Sequence, residues 1–357
     1  MDKKFFMGIA AMAALTLVSC SSDDLNSLSD NSSKNEAISF DSYLGRSAVA
    51  VNGSRGSVLD KDALQKSTEG FGVFGNYNST GGQEFGSSLF NNVKVTYEAS
   101  AWTYSPLRFW PTSGHIDFLA YAPYDSKYAG KVTKDNQKLD FIVNSDIKNQ
   151  IDLLYANAVG QTLGQISSTK NKVKFQFNHA LSKLGYKVKL SGDYSSNATF
   201  KLTKITLAGS PNGATKAFYT SGKIDLSKTN TASDLWSEYA ADRQNFDWFS
   251  GSSTVTGTDL KHPDENRAEN EDYLFVIPQK FKTETDKLYV IVTYTITYNN
   301  DTENPITNTV YKQLSNDFEP GKAYMINLTL GLPIEFDADV TEWGPDTSID
   351  CTEPWDR

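Results

Sequence analysis

Apolar side chains in this chain recur at every second residue, a period that favours strands and leaves little room for helices. Leu184, Tyr186, Val188 and Leu190 would face one way, with Gly185, Lys187 and Lys189 facing the other. Val173-Lys174-Phe175-Gln176-Phe177 and Tyr324 to Leu330 repeat the pattern, and Ile38, Phe40, Ser42 and Leu44 alternate with Ser39, Asp41 and Tyr43. From Leu288 to Tyr298 both faces are apolar or Thr, as expected of a central strand covered on two sides. Helical spacing is confined to Ala63-Leu64-Gln65 and Ser233 to Ala241, enough for single short helices. Turn residues separate the runs, as in Ser79-Thr80-Gly81-Gly82 and Tyr298-Asn299-Asn300-Asp301. The expectation is an all-β fold with few short helices. About 320 ordered residues are too many for one sandwich of roughly 100, so two tandem β-sandwich domains are expected. Gly160 to Asn171 is the least strand-like stretch near the middle, which sets the domains at 38–165 and 166–345 with a tail at 346–357.

The amino terminus reads as an export signal. Lys3 and Lys4 precede the apolar run Phe5 to Val18, and a polar stretch begins at Ser21. That run falls short of the roughly 20 apolar residues of a membrane-spanning helix. Leu17-Val18-Ser19-Cys20 resembles a lipobox. The resemblance implies passage through the export machinery, cleavage between Ser19 and Cys20 by lipoprotein signal peptidase, and acylation of Cys20. Ser21-Ser22-Asp23-Asp24 resembles the acidic signal that sends Bacteroidetes lipoproteins to the outer face of the outer membrane. Residues 20–37 hold few large apolar groups and read as a flexible tether between lipid and fold.

Charge and chemistry narrow the function classes. The formal charge is -9 for the whole chain, and losing Asp2, Lys3 and Lys4 makes it more negative. An acidic surface argues against nucleic-acid binding, which requires basic patches. Once Cys20 is acylated, Cys351 is the remaining thiol, so no intramolecular disulfide is expected and stability must come from packing. No His lies near Cys351 to activate it. His115, His179 and His262 lack the close His or Cys neighbours of a zinc site, and His179 reads as a structural histidine. Asp337-Ala338-Asp339 and the acidic loop ending at Asp272 lack the spacing of a calcium loop, and Gly251 to Gly257 carries no phosphate-cradling motif. No catalytic residue, metal or cofactor is expected. Trp236 and Trp248, with Tyr239, Phe246 and Phe249 nearby, are candidate ligand aromatics, since an exposed ring face can stack on a sugar.

Ten blocks, taken in order, resemble the fimbrillin family of Bacteroidetes, the Mfa-like subunits of type V pili. They begin with Ile38-Ser39-Phe40 and Tyr43-Leu44-Gly45-Arg46, then Phe71-Gly72-Val73-Phe74, the run Trp102 to Pro111 and the run Phe118 to Tyr124. Asp152-Leu153-Leu154-Tyr155-Ala156 and Phe177 to Leu184 follow. Phe275-Val276-Ile277-Pro278-Gln279, Phe318 to Tyr324 and Val340-Thr341-Glu342-Trp343-Gly344 complete the set, which spans nearly all of the chain beyond the tether. Trp102 and Trp110 fall inside blocks and are expected in the core.

The resemblance implies two transthyretin-like β-sandwich domains with Greek-key character and a place in the fimbrium, with other pilus subunits as partners. It also implies a trypsin-like maturation protease that cuts after an arginine beyond the first strand. The released strand leaves a groove that a neighbouring subunit's strand fills by β-augmentation. Ile38 to Leu44 is then the removable strand and Arg46 the cleavage residue, with Arg55 the alternative; both arginines lie among Gly and Ser. At the carboxyl end Ile334, Phe336, Ala338 and Val340 alternate with Glu335, Asp337 and Asp339, so this segment either donates to a neighbour or completes its own domain. The alternative to a pilus subunit is a monomeric surface lipoprotein that binds a glycan, or a host or bacterial surface ligand, through exposed aromatics.

Overall fold

The structure is a computed structural model that describes residues 36–44, 59, 61–79, 86–133, 135–166, 172–229, 232–263, 273–281, 285–332 and 336–342. Ser19 and Cys20, Arg46 and Arg55, Ile334, the acidic loop ending at Asp272 and the tail 346–357 lie outside the described residues. The first strands are β1 (Ser39–Leu44), β2 (Phe71–Asn78), β3 (Gly86–Glu98), β4 (Ala101–Thr103) and β5 (His115–Ala122). After them come β6 (Lys138–Ile142), β7 (Leu154–Gln161), β8 (Lys172–His179), β9 (Ser182–Leu190), β10 (Ala198–Ala208) and β11 (Phe218–Tyr219). Then follow β12 (Ser221–Asp225), β13 (Trp236–Ser237), β14 (Arg243–Gln244), β15 (Phe246–Val255), β16 (Leu274–Val276) and β17 (Gln279–Lys280). The last are β18 (Leu288–Tyr298), β19 (Asp301–Leu314), β20 (Asp317–Phe318), β21 (Ala323–Leu330) and β22 (Phe336–Glu342). Two short helices, α1 (Lys61–Lys66) and α2 (Leu163–Ile166), complete the set. The fold is all-β, as the two-residue period dictates.

The first sheet has seven strands in the order β1-β8-β7-β5-β2-β3-β4. Its two ends meet: the chain at Ala37 bridges antiparallel to Phe109, the Ile38 N–H donates to the Arg108 carbonyl at 2.8 Å, and the Trp110 N–H to that of Glu36 at 3.0 Å. Inside the curl lies a core of Phe40, Phe71, Phe90, Phe118, Phe175 and Phe177. Strands β2 and β5, and β7 from Leu154 to Ala156, are buried on both faces, because Phe74, Leu119, Tyr121 and Tyr155 point the other way into a second core. A continuous apolar run such as Phe118 to Ala122 is what a wall between two cores requires.

That second core is shared by the sheets β15-β10-β18-β19 and β16-β9-β21-β22. Leu184, Tyr186, Val188 and Leu190 are all buried on β9, as are Tyr324, Ile326, Leu328 and Leu330 on β21, matching the alternation read from the sequence. β18 is central by pairing, between β10 and β19. Its residues nevertheless alternate between fully and partly buried, so one face is sealed and the other only half covered, where the sequence pointed to cover on both sides.

One further expectation changes. The run 233–241 is not a helix: Trp236 and Ser237 pair with β12, and Glu238 sits at φ 50°, outside helical space. A break at 165/166 would detach β8 from the sheet it belongs to. β8 pairs with both β1 and β7, and β6 pairs with β12, so strands from the two sides of 165/166 share sheets.

Gly72, in the Phe71 to Phe74 block, sits against Tyr121. A Cβ there would come within 2.4 Å of the Tyr121 ring and 2.8 Å of Asn92 Oδ1, two groups joined by a 2.7 Å hydrogen bond. Gly72→Ala should therefore cost about 1–3 kcal/mol through overpacking, read as a lower urea midpoint at unchanged slope.

Candidate functional site

The candidate site is the seat of the first strand. β1 runs parallel to β8, from Ser39 opposite Lys172 to Leu44 opposite Phe177. Among the described strands β8 is its one ladder neighbour, so β1 forms the edge of the sheet. Alternation points Ile38, Phe40 and Ser42 inward, whereas Tyr43 faces solvent and donates to Gln176 Oε1 at 3.1 Å.

Phe40 is the anchor. Only 1% of it is exposed, and its ring lies 5.5 Å from each of Phe90, Tyr104 and Phe175 and 5.6 Å from Phe118, with Phe71 at 6.5 Å. Burying such a ring contributes on the order of 2–3 kcal/mol, before the edge-on ring contacts are counted. The segment after β4 closes over the strand. The Tyr104 hydroxyl donates to the Ile38 carbonyl at 2.8 Å, and Arg108 Nε is tied to the Leu89 carbonyl at 3.1 Å. Burial pushes the Tyr104 phenol above its ordinary range, against the lowering influence of Arg108, which keeps it a donor. If β1 left, β8 would present a row of unpaired backbone groups beside an emptied aromatic groove.

The chain is fastened again at Leu59. The Leu59 N–H donates to Asp152 Oδ2 at 2.9 Å, and His179 Nδ1 lies 3.0 Å from the same oxygen. Burial alone would lower the His179 pKa, but the Asp152 carboxylate outweighs it and the net shift is upward. Lys183 nearby is shifted down by burial, which Asp152 only partly opposes. In sequence, Arg46 and Arg55 thus fall between β1 and the Leu59–Asp152 bond. Reading the sequence placed Asp152 and His179 in separate blocks without joining them, and gave Tyr104 no role.

β22 pairs antiparallel with β21 at the edge of its sheet, with Phe336 opposite Leu330, Ala338 opposite Leu328 and Val340 opposite Ile326. Ala338 is buried. Here the strand completes its own sheet.

Trp236 and Trp248 require correction as exposed platforms, since each is only 5% exposed. Trp236 Nε1 donates to the Ala180 carbonyl at 2.8 Å, and its ring meets Phe141 edge-on. Trp248 meets Tyr186 edge-on at 4.9 Å, because the alternation of β15 turns Phe246 and Trp248 inward together. Trp102 and Trp110 are buried as well. His115 lies 3.7 Å from Asp117, and His262 packs beside the Tyr186 ring. Among the described residues no group of three or more His, Cys, Asp or Glu side chains is placed to hold a metal.

A fimbrial protein from Bacteroides vulgatus of known structure is similar over 86% of this chain and 99% of its own, with a TM-score of 0.60 at 21% identity. Two candidate cell adhesion proteins are more distant. The one from Bacteroides uniformis gives a TM-score of 0.46 at 15% identity, covering 86% of this chain and 99% of its own. The one from Bacteroides ovatus gives 0.48 at 15%, covering 88% and 99%. No curated protein sequence matches significantly. The sequence profile of the fimbrillin-like family matches residues 58–343, most of the chain. The chain belongs to the fimbrillin-like family.

Proposed function

We propose that this protein is a structural or adhesive subunit of a type V pilus, built as two transthyretin-like sandwiches and exported as a lipoprotein acylated at Cys20. A trypsin-like protease cuts after Arg46, or alternatively Arg55, and β1 leaves with the lipid. The vacated groove then accepts a strand from the next subunit. Donation of this head-to-tail kind does not close on itself, so it extends as a filament. The donor is the segment of Ile334, Phe336, Ala338 and Val340, released from β21. The acyl group delivers the precursor to the outer surface and is discarded on cutting, whereas a subunit that escapes cleavage keeps its lipid and anchors. Partners are other pilus subunits, the maturation protease, and the signal peptidase and export machinery.

One observation carries this reading: a strand at the sheet edge, paired among the described strands with β8, fills an aromatic groove with Phe40 and ends two residues before Arg46. Limited trypsin digestion of the purified precursor tests it. Oligomers that depend on the protease should appear on mildly denaturing gels, and an Arg46→Gln, Arg55→Gln double variant should remain monomeric. Persistent monomer after clean cutting at Arg46 would sink the proposal.

A further inference from the structure

Away from the strand site, a cavity of about 620 Å³ is walled by Tyr219, Trp236, Tyr239, Pro278, Phe318 and Pro320. Its distinguishing feature is a stacked pair of tyrosines whose outer member is partly exposed. The Tyr239 ring stacks on Tyr219 with centroids 4.4 Å apart and planes 16° from parallel. The Arg243 guanidinium lies over Tyr219 at 4.3 Å and is itself fixed by Asp286 at 2.8 Å. Two partners that close cannot share one side of a ring, so Tyr219 is sandwiched and Tyr239 caps the stack. Tyr239 remains 38% exposed, the most open aromatic of the cavity wall that is also tied in place, its hydroxyl donating to the Trp236 carbonyl at 3.2 Å.

The backbone is strained to present that ring. Glu238, the residue before it, takes φ 50°, a left-handed conformation that non-glycine residues seldom adopt. Its carboxylate is gripped by Lys138 Nζ at 3.0 Å and by Lys223 Nζ. Gly222 leaves the room both rings use, since a Cβ there would lie 3.1 Å from Tyr239 and 3.3 Å from Trp236. Strain held in place by surrounding contacts, beside a cavity and an exposed ring, is characteristic of ligand clamps.

We propose that this cavity binds a pyranose ring of a neutral glycan, stacked on the Tyr239 face. The rim decides the class. Arg243 neutralises Asp286, which leaves the carboxylates Asp317 and Glu319 balanced by the ammonium groups Lys280 and Lys322. A rim without net charge offers donors and acceptors to hydroxyl groups and favours neither an anion nor a cation overall. A pyranose matches both surfaces, with an apolar C–H face for the tyrosine and a hydroxyl edge for the rim.

The test uses the full chain and saturation-transfer NMR against neutral oligosaccharides of mannose, glucose and N-acetylglucosamine, with sialyllactose and oligogalacturonate as anionic comparators. Neutral oligosaccharide signals should appear, and Trp236 fluorescence should change on titration. Tyr239→Ala should weaken binding about tenfold, the loss of one stacking face, while Tyr239→Phe stays close to the parent. Ser233→Trp, which fills the cavity from its rim, should abolish binding, and the melting temperature of each variant reports that the fold is intact. Binding of anionic sugars alone, of no neutral oligosaccharide, or with equal strength to parent, Tyr239→Ala and Ser233→Trp would overturn the proposal.

Discussion

Phe40→Ala should lower the unfolding free energy of the uncut chain by about 3–5 kcal/mol, the cost of removing a buried aromatic ring and leaving its cavity. The basis is the ring's near-complete burial among Phe90, Tyr104, Phe118 and Phe175, none of which can collapse into the gap without breaking its own contacts. The loss has a particular signature. If β1 departs after cleavage at Arg46, Phe40 departs with it, so the cut bodies of parent and variant should unfold alike. Equilibrium urea unfolding of the chain before and after trypsin measures both. A loss under about 1 kcal/mol in the uncut chain, the size of an average substitution, would show that β1 is not the wedge its ring contacts describe. A variant that stays weaker after cutting would show that β1 had not left.

The sheets were legible in the sequence because a period of two is imposed locally. Val173, Phe175 and Phe177 alternate wherever β8 goes, and they are buried. What alternation cannot say is how many faces are covered. On β18 Tyr289, Ile291 and Thr293 look apolar enough for burial, yet their face is only half covered. β5 reads as a continuous apolar run because two separate cores need it. The tryptophans misled for a related reason. Trp236 and Trp248 lie in a polar stretch, and composition there gave no sign that β13 and β15 turn them inward. The exposed ring of that stretch is Tyr239, presented by a strained residue that leaves no compositional trace. The groove was readable as a strand followed by an arginine. Its closing hydrogen bond from Tyr104 spans 66 residues, and the Leu59–Asp152 bond spans 93, separations that no local pattern encodes.

The fastening at Leu59 yields the second large effect. Asp152 is 3% exposed and serves two donors, the Leu59 N–H and His179. Asp152→Ala removes both bonds and should cost about 3–5 kcal/mol near pH 6, because the Leu59 N–H loses its acceptor and the buried imidazole, without its counter-charge, must give up its proton. Asp152→Asn keeps an acceptor for Leu59 but not the charge, so it isolates the ionic part. The pH dependence follows from the raised His179 pKa. Folding strengthens proton binding at that group, so its contribution is fully present below the unfolded histidine value of about 6.5 and fades as pH rises through the higher folded value. Lys183 carries the opposite sign: burial lowers its pKa, so its contribution grows as the solution turns alkaline. The gap between parent and Asp152→Asn should therefore be wider at pH 6 than at pH 8. Urea midpoints across that range decide the matter, and a gap that is constant or grows with pH would mean that His179 is not charged against Asp152 in the folded chain.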